Sequence, residues 1–291
     1  MNYVGYAFLA AVLFAGNALV SKFSSKHALN DPDGLAAYFL LTNFVLILTL
    51  LPFVTTRLPA FELLIALATG GVFYAFGFYI FFKALAKVDA SSFSAIFQMQ
   101  AVIIAVLAFL FLGERFPQAN YLWALLIVGG ATMVTVDESV SLKSFFRPAV
   151  WLLIVMQFFH AVAGLSLGYA VKRMPILEAL VWEFLFMGGV TGLLLMMRRP
   201  KLVYPVKKVA PIILAATLNF AGVLAILKAF QTNLTISSVI GLMQAPIVFL
   251  VTLLLARFNP NLLENHTKEI YFIRGIGLTM TLFGAYRLAL G

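Results

Sequence analysis

The chain contains no cysteine and few charged residues. Cysteine is absent from all 291 residues, which excludes disulfides, cysteine-based metal sites and a thiol nucleophile. Only 11% of the residues are charged and 63% are hydrophobic, whereas a soluble domain has about 25% charged and about 45–50% apolar residues. A soluble protein of this length cannot hide so much apolar surface in its core. The composition therefore predicts an all-α integral membrane protein.

Motifs that mark catalysis or ATP binding are also missing. The sequence has no His-Glu-x-x-His and no Gly-x-x-x-x-Gly-Lys-Ser/Thr phosphate loop. No second histidine or carboxylate stands at metal-ligand spacing from His160. We therefore predict no enzyme activity, no cofactor and no metal. The formal charge of +9 is carried by residues at the ends of apolar runs, where lipid head groups and topology explain it, so we predict no nucleic-acid partner.

Apolar segments long enough to cross a bilayer, which takes about 20 residues, recur along the whole chain. Because the first begins without a basic leader, we expect it to remain in the mature protein. The segments predict ten transmembrane helices, over residues 3–23, 34–55, 62–86, 91–112, 119–136, 149–171, 176–197, 208–231, 235–256 and 269–289.

The two halves of the chain resemble each other. A shift of 145 residues superposes the first five segments on the last five and aligns Gly77 with Gly222 and Lys83 with Lys228. An odd number of spans in each copy forces the halves into opposite orientations. The pattern predicts two inverted five-helix repeats, residues 1–146 and 147–291, with a binding site near the midplane between them.

Short motifs carry a family resemblance. Lys83-Ala84-Leu85, the helix start at Ser91-Ser92 and the run from Leu110 to Arg115 resemble the EamA-type repeat of the drug/metabolite transporter superfamily. Three motifs of the second half resemble the same repeat: Lys228-Ala229-Phe230, Ser237-Ser238 and Gln244-Ala245-Pro246. The chain departs from the family pattern at Ala101, which stands where proline is frequent, and at Phe258-Asn259, which replaces the second Gly-Glu.

This resemblance implies a five-plus-five inverted fold with a central cavity. It implies a small-molecule substrate, namely amino acids, related metabolites or lipophilic cations, carried most often outward. It also implies a multi-pass protein of the cell (inner or plasma) membrane, acting as a monomer or homodimer in the lipid bilayer. A channel or facilitator and, less favoured, a membrane-embedded enzyme are the alternative functions.

Glu183 is the first candidate site residue because it is a carboxylate well inside the seventh segment, and the adjacent Trp182 is a candidate with it. A charge at bilayer depth costs about 2.5–3.5 kcal/mol, so such a residue usually faces a cavity or a partner. Glu183 would bind a substrate amine or a coupling proton. The alternative is an ion pair with a lysine of a neighbouring helix.

His160 is the second candidate. It shares a helix face with Gln157, Gly164 and Gly168, which lie three or four residues apart. Glycines on such a face allow close helix approach or leave room for a ligand. A histidine bonded to a neighbouring carbonyl is the alternative.

Uncharged polar residues complete the candidate site. Tyr74 and Asn219 occupy equivalent places in segments three and eight, and the resemblance implies that Tyr74, Tyr79 and Asn219 line the cavity wall. The remaining candidates are amides inside predicted spans that either orient a substrate or join helices, namely Asn17, Asn43, Gln98, Gln100 and Gln244.

Three further features bear on packing and orientation. Lys83 and Lys228 are expected to extend to the lipid head groups, and Pro246 is expected to kink segment nine. The charge rule favours both termini outside the cell because of the basic loop 198–208, whereas the resemblance implies that both termini are cytoplasmic.

Overall fold

The computed structural model describes six stretches of the chain, and within them the protein is all helical. Helix makes up 88% of the structure, and no strand occurs in these stretches. Some motif residues of the family resemblance, including Ser91-Ser92 and Glu114-Arg115, lie outside them. The described residues are 2–54, 57–85, 99–113, 118–134, 148–258 and 267–290.

Eleven α-helices are labelled here in chain order. Short π-helical turns extend α1 over Ser24–Ala28 and α4 over Ala108–Leu112, and a 3-10 turn, Leu51–Phe53, ends α2. The helices are α1 Tyr3–Phe23, α2 Pro32–Leu50, α3 Phe61–Leu85, α4 Met99–Leu107, α5 Gln118–Val134, α6 Pro148–Val171, α7 Ile176–Arg198, α8 Val206–Phe230, α9 Leu234–Gly241, α10 Gln244–Phe258 and α11 Lys268–Leu290.

Polar turn residues define several helix ends. The Asp31 carboxylate accepts from the backbone N–H of Asp33 at 3.1 Å, with Pro32 in the first turn of α2. Asn233 caps α9 by accepting from the N–H of Ile236 at 2.9 Å. At the end of α7, Arg199 adopts a left-handed conformation with φ 47°. These caps satisfy backbone groups that would otherwise be unpaired where the chain turns.

The predicted segment 235–256 contains two helices, α9 and α10, separated at Leu242–Met243. The break lies one turn before Pro246, whose ring excludes the carbonyl of the residue four positions earlier and which has no N–H to donate. The expected effect of Pro246 is therefore present, as a break rather than a kink. It brings Gln244, at the start of α10, to the middle of the bundle.

Among the described residues, six helical segments are long and apolar enough to cross a membrane. By their length and composition these segments indicate a multi-pass membrane protein; the count of ten spans stays a prediction. Large apolar side chains such as Phe53, Phe61 and Val203 are exposed at the bundle surface, as expected of side chains that face lipid. The six segments are Tyr3–Ala28, Pro32–Phe53, Phe61–Leu85, Trp151–Val171, Ile176–Arg198 and Val206–Phe230.

Helices of the two halves pack against each other in matching pairs. α1 lies along α8, α3 lies along α6, and α2 lies against α7. Where α3 meets α7, a Cβ atom on Gly71 would lie 2.3 Å from the backbone oxygen of Glu183 and 2.8 Å from the backbone nitrogen of Met187. The absence of a side chain at Gly71 thus allows the two backbones to touch. This close approach brings the first turns of α7 to the centre of the bundle.

Candidate functional site

A cavity of about 160 Å³ lies between the helices of the two halves. Its wall combines aromatic rings, among them Phe14, Phe78, Phe81 and Phe230, with a set of polar side chains. An apolar pocket with a few convergent polar groups is the usual form of a small-molecule site. The polar lining residues are Asn17, Tyr74, Gln100, His160, Glu183, Asn219, Ser238 and Gln244.

The predicted site residues divide between this wall and other places. Asn43 is fully buried behind the wall, whereas Tyr79 and Trp182 lie away from the cavity. Gln98 lies outside the described residues. The cavity brings together seven predicted residues, Asn17, Tyr74, Gln100, His160, Glu183, Asn219 and Gln244.

The Glu183 side chain is buried and unpaired. Its residue is 1% exposed, and neither carboxylate oxygen has a hydrogen-bond partner among the described residues. The carboxylate lies against Gly70 of α3, where a Cβ would be 2.6 Å from Oε1. No lysine or arginine in the described stretches forms an ion pair with it, so the predicted alternative of an intramolecular ion pair receives no support there. Burying a charge without a partner is costly, which makes this carboxylate a group ready to bind a cation or a proton.

His160 faces the same cavity from α6. Its ring centroid is 4.7 Å from that of Phe78, and its Nε2 has no partner among the described residues. The ring lies over Gly77, where a Cβ would be 2.8 Å from Nε2. On the same predicted face, Gly164 lines the cavity and Gly168 contacts Leu234. That face therefore serves both the cavity and close helix packing.

A hydrogen-bonded chain joins three helices beside Glu183. The Asn219 amide donates to the Tyr74 hydroxyl at 2.5 Å and to Asn43 Oδ1 at 3.5 Å. Tyr74 and Asn219 are 145 residues apart, so the residues at equivalent places in the two halves contact each other. The Asn43 amide also donates to the backbone oxygen of Phe39 at 2.8 Å. The group ties α2, α3 and α8 together at the cavity wall.

One end of the bundle is closed by charged and aromatic groups. Lys83 Nζ, at the end of α3, lies 3.0 Å from the Asp33 carboxylate at the start of α2, and Lys83 and Arg198 both lie over the Tyr79 ring. The expected extension of Lys83 to the head groups is thus replaced by an ion pair. The role of Asp33 was not predicted from the sequence. An acidic residue, Glu178, stands at the equivalent position of the second half, and this match could have pointed to Asp33.

The segment before α8 folds over the same end. The Tyr204 hydroxyl donates to the Asp31 carboxylate at 3.1 Å, and the Tyr38 hydroxyl donates to the backbone oxygen of Leu202. Partial burial, with a contribution from Asp31, raises the pKa of the Tyr204 phenol above its ordinary value. Tyr204 therefore remains protonated, and able to donate, at neutral pH.

The equivalent charged residues at the opposite end of the bundle do not form an ion pair. Glu178, at the start of α7, and Lys228, near the end of α8, are both in the described part of the chain and form no ion pair with each other. Lys228 is exposed, which agrees with the expectation that it extends to the head groups. α7 and α8 also touch less extensively than α2 and α3 do.

Trp182 points away from the cavity. Its indole nitrogen donates to the backbone oxygen of Arg57 at 3.2 Å, at the surface of the bundle. Adjacent residues on a helix point about 100° apart, so the burial of Glu183 turns Trp182 outward. Its predicted place in the site came from sequence proximity to Glu183, which a helix does not preserve.

Comparison with known proteins found a family similarity for the first part of the chain. Residues 1–136 match the EamA-like transporter family. The predicted resemblance is thereby confirmed over this segment, and the family is part of the drug/metabolite transporter superfamily. No curated protein matches the chain significantly.

Solved structures share the fold of the whole chain. In one crystal structure the matching protein is 16% identical, and the alignment covers 99% of this chain and 96% of that one with a TM-score of 0.72. In all, 28 chains of solved structures match. At this identity the similarity shows the fold alone. Members of the family matched over residues 1–136 are membrane transporters of small molecules rather than enzymes.

Proposed function

We propose that the protein is a secondary transporter that exports small amphipathic metabolites, such as amino acids, aromatic ones included, or related organic cations. The observation that carries the proposal is the Glu183 carboxylate, which is buried, unpaired and placed in the wall of a central cavity. A substrate ammonium group would supply the missing opposite charge. A charge-assisted hydrogen bond of this kind is about twice as strong as a neutral one.

The rest of the wall suits the other parts of such a substrate. The rings of Phe14, Phe78 and Phe81 offer apolar contact to a side chain, and aromatic faces also attract cations. Asn17 and Gln244 carry amides that can donate to a carboxylate. A cavity of about 160 Å³ is close in size to an engineered protein cavity of about 150 Å³ that holds benzene. We therefore favour substrates with a single ring or a branched chain.

Glu183 also provides a place for a coupling proton. When the substrate leaves, the carboxylate has no protein partner among the described residues, so binding a proton would relieve the cost of the lone charge. Substrate and proton would then occupy the same group in turn. His160, in the same wall, is the neighbouring group able to take part in the proton transfer.

We propose alternating access between two inverted repeats, residues 1–146 and 147–291. The matching helix pairs and the Tyr74–Asn219 contact support this division. The cavity wall runs toward the end of α8 at Phe230 and the start of α9 at Ser238, while Asp33 and Lys83 join at the opposite end. Such a chain would open to one side at a time and would reside in the cell membrane.

The test is exchange in liposomes. Purified protein is reconstituted, and exchange of a mixed pool of radiolabelled amino acids is compared between the wild type and Glu183→Gln. Glu62→Gln is the matched control because Glu62 is exposed at the start of α3. We expect saturable, trans-stimulated exchange that Glu183→Gln abolishes and Glu62→Gln retains.

Two results would contradict the proposal. Flux that does not saturate and is not stimulated by substrate on the other side would indicate a channel or facilitator. Saturable exchange that survives Glu183→Gln would leave a carrier whose binding carboxylate is not Glu183.

A further inference from the structure

Helix α3 presents two glycines toward the cavity, on either side of Tyr74. Gly70 and Gly77 lie four residues before and three residues after Tyr74, so the three share one helix face. Each glycine receives an ionisable side chain from the second half of the protein. Gly70 receives Glu183 from α7, and Gly77 receives His160 from α6.

The space at Gly70 is filled by the carboxylate of Glu183. A Cβ atom on Gly70 would lie 2.6 Å from Oε1, 3.1 Å from Cδ and 3.4 Å from Cγ of Glu183. Non-bonded heavy atoms at their best separation are about 3.5–4.0 Å apart. Any side chain at position 70 would therefore push the carboxylate out of its place.

The unpaired state of Glu183 distinguishes this contact from ordinary close packing. A face of small residues between helices needs no ligand to explain it. Here the group that fills the space is a carboxylate that is 1% exposed and has no hydrogen-bond partner in the described stretches. A packing contact alone would be served equally well by an apolar side chain, without the cost of burying a charge.

We propose that Gly70 is a positioning residue, whose missing side chain allows the Glu183 carboxylate to sit at the cavity wall where substrate binds. This inference rests on the proposed function, in which Glu183 binds the substrate. The three atoms nearest an added Cβ at Gly70 all belong to the flexible end of Glu183, whereas the two nearest at the adjacent Gly71 belong to the backbone of α7. Substitution at Gly70 therefore tests the place of the carboxylate, and substitution at Gly71 tests helix packing.

The transport experiment is a double-mutant cycle between Gly70→Ala and Glu183→Asp. Asp is one methylene shorter, so its carboxyl carbon sits near the place of Glu183 Cγ, which is 3.4 Å from the added Cβ. We expect each single change to lower exchange of the radiolabelled amino-acid pool at limiting concentration by about tenfold, since a 1 Å misplacement can cost even on the order of 100-fold in enzymes. The loss should lie mainly in KM.

The cycle distinguishes positioning from independent damage. If Gly70 acts through Glu183, the double variant should transport nearly as well as Glu183→Asp alone, because Asp no longer places a carboxylate oxygen at the Oε1 position, 2.6 Å from the added Cβ. The control is Gly189→Ala in α7, where an added Cβ would meet no atom within 4 Å; it should transport as the wild type does. A double variant whose loss is the product of the single losses would overturn the proposal, as would a Gly70→Ala protein with normal KM.

A second measurement is independent of transport. In protein labelled with 13C-glutamate, the side-chain carboxyl signal of Glu183 is identified as the one lost in Glu183→Gln. We expect Gly70→Ala to shift this signal and Gly189→Ala to leave it in place. An unchanged signal in Gly70→Ala would overturn the proposal even if the protein transports amino acids. If the signal shifts but the protein transports no amino acid, the positioning role of Gly70 is supported and the proposed substrate class is wrong.

Folding of the variants is checked by size-exclusion chromatography. If Gly70→Ala cannot be purified but Gly70→Ala with Glu183→Asp can, the contact with the carboxylate is the cause and the proposal is supported. If neither can be purified, Gly70 is needed for helix packing and the proposal fails.

Discussion

Lys83 and Lys228 stand at equivalent places in the two halves, yet within the described residues Lys83 pairs with Asp33 while Lys228 and Glu178 form no pair. The helices that carry these residues differ in the same way, since α2 lies against α3 more extensively than α7 lies against α8. The cavity wall extends toward the end of the bundle where Glu178 and Lys228 form no ion pair. Repetition of a sequence pattern thus gives the two ends equal means of closing, and the packing of the helices decides which end is closed.

Cross-linking the two ends should have the largest effect. Because the chain has no cysteine, Asp33→Cys with Lys83→Cys introduces one reactive pair, and Glu178→Cys with Lys228→Cys introduces the equivalent pair. We expect a short bis-maleimide to abolish exchange in either double variant, since each link would hold one end shut. The readout is exchange in liposomes before and after treatment.

Singly substituted proteins treated with the same reagent are the controls and should keep their activity. If the link between positions 33 and 83 forms completely and exchange continues, that end does not open during transport. The alternating-access proposal would then be wrong.

Gly71→Ala should have the next largest effect, on stability rather than on substrate affinity. α8 carries Ala216 at the position equivalent to Gly71. The change therefore gives α3, at its contact with α7, the same residue that α8 has. The added Cβ would lie 2.3 Å from a backbone oxygen, and overpacking of this kind costs about 1–3 kcal/mol. Thermal unfolding in detergent should occur at a lower temperature than in Gly189→Ala, the variant with open space. Equal unfolding temperatures would show that α3 and α7 separate easily.

Removing the charge of Lys83 should have a smaller effect. Lys83 and Asp33 are about one-third exposed, at 35% and 29%, and exposed ion pairs contribute about 0.2–1 kcal/mol. Lys83→Ala should therefore shift the equilibrium toward the state in which the other end is closed, by up to about fivefold. The measurement is the rate of cross-linking between cysteines at 178 and 228, which should rise. Exchanging the two charges, Asp33→Lys with Lys83→Asp, should restore the wild-type rate. A single variant with unchanged cross-linking would show that the pair does not hold this end closed.

Tyr74→Phe should have the smallest effect among these changes. It removes the hydroxyl that accepts from Asn219 at 2.5 Å, and hydrogen bonds between membrane helices contribute about 0.6 kcal/mol on average. We expect a slightly lower unfolding temperature and exchange within about twofold of the wild type. A much larger loss of exchange, with normal stability, would place the Tyr74 hydroxyl on the substrate.

The amino-acid pattern predicted that the chain is helical and predicted several of the residues that line the cavity. Runs of apolar residues place helices close to their observed bounds, and a charge such as Glu183 inside a run indicates a cavity because lipid cannot solvate it. The residues missed or misplaced depend on contacts between distant segments. Asp33 closes an end only because α2 and α3 lie together, and Trp182 faces outward because Glu183 faces inward.

The sequence by itself determined that the chain is helical and needs an apolar solvent. Composition and periodicity suffice for this, since every backbone polar group of a membrane-spanning segment must be satisfied within the segment. Only the tertiary structure decided that Gly70 faces Glu183, that Tyr74 meets Asn219 and that one of two equivalent charge pairs is joined. Those outcomes depend on helix rotation and on distances of a few ångströms between helices, which local sequence does not specify.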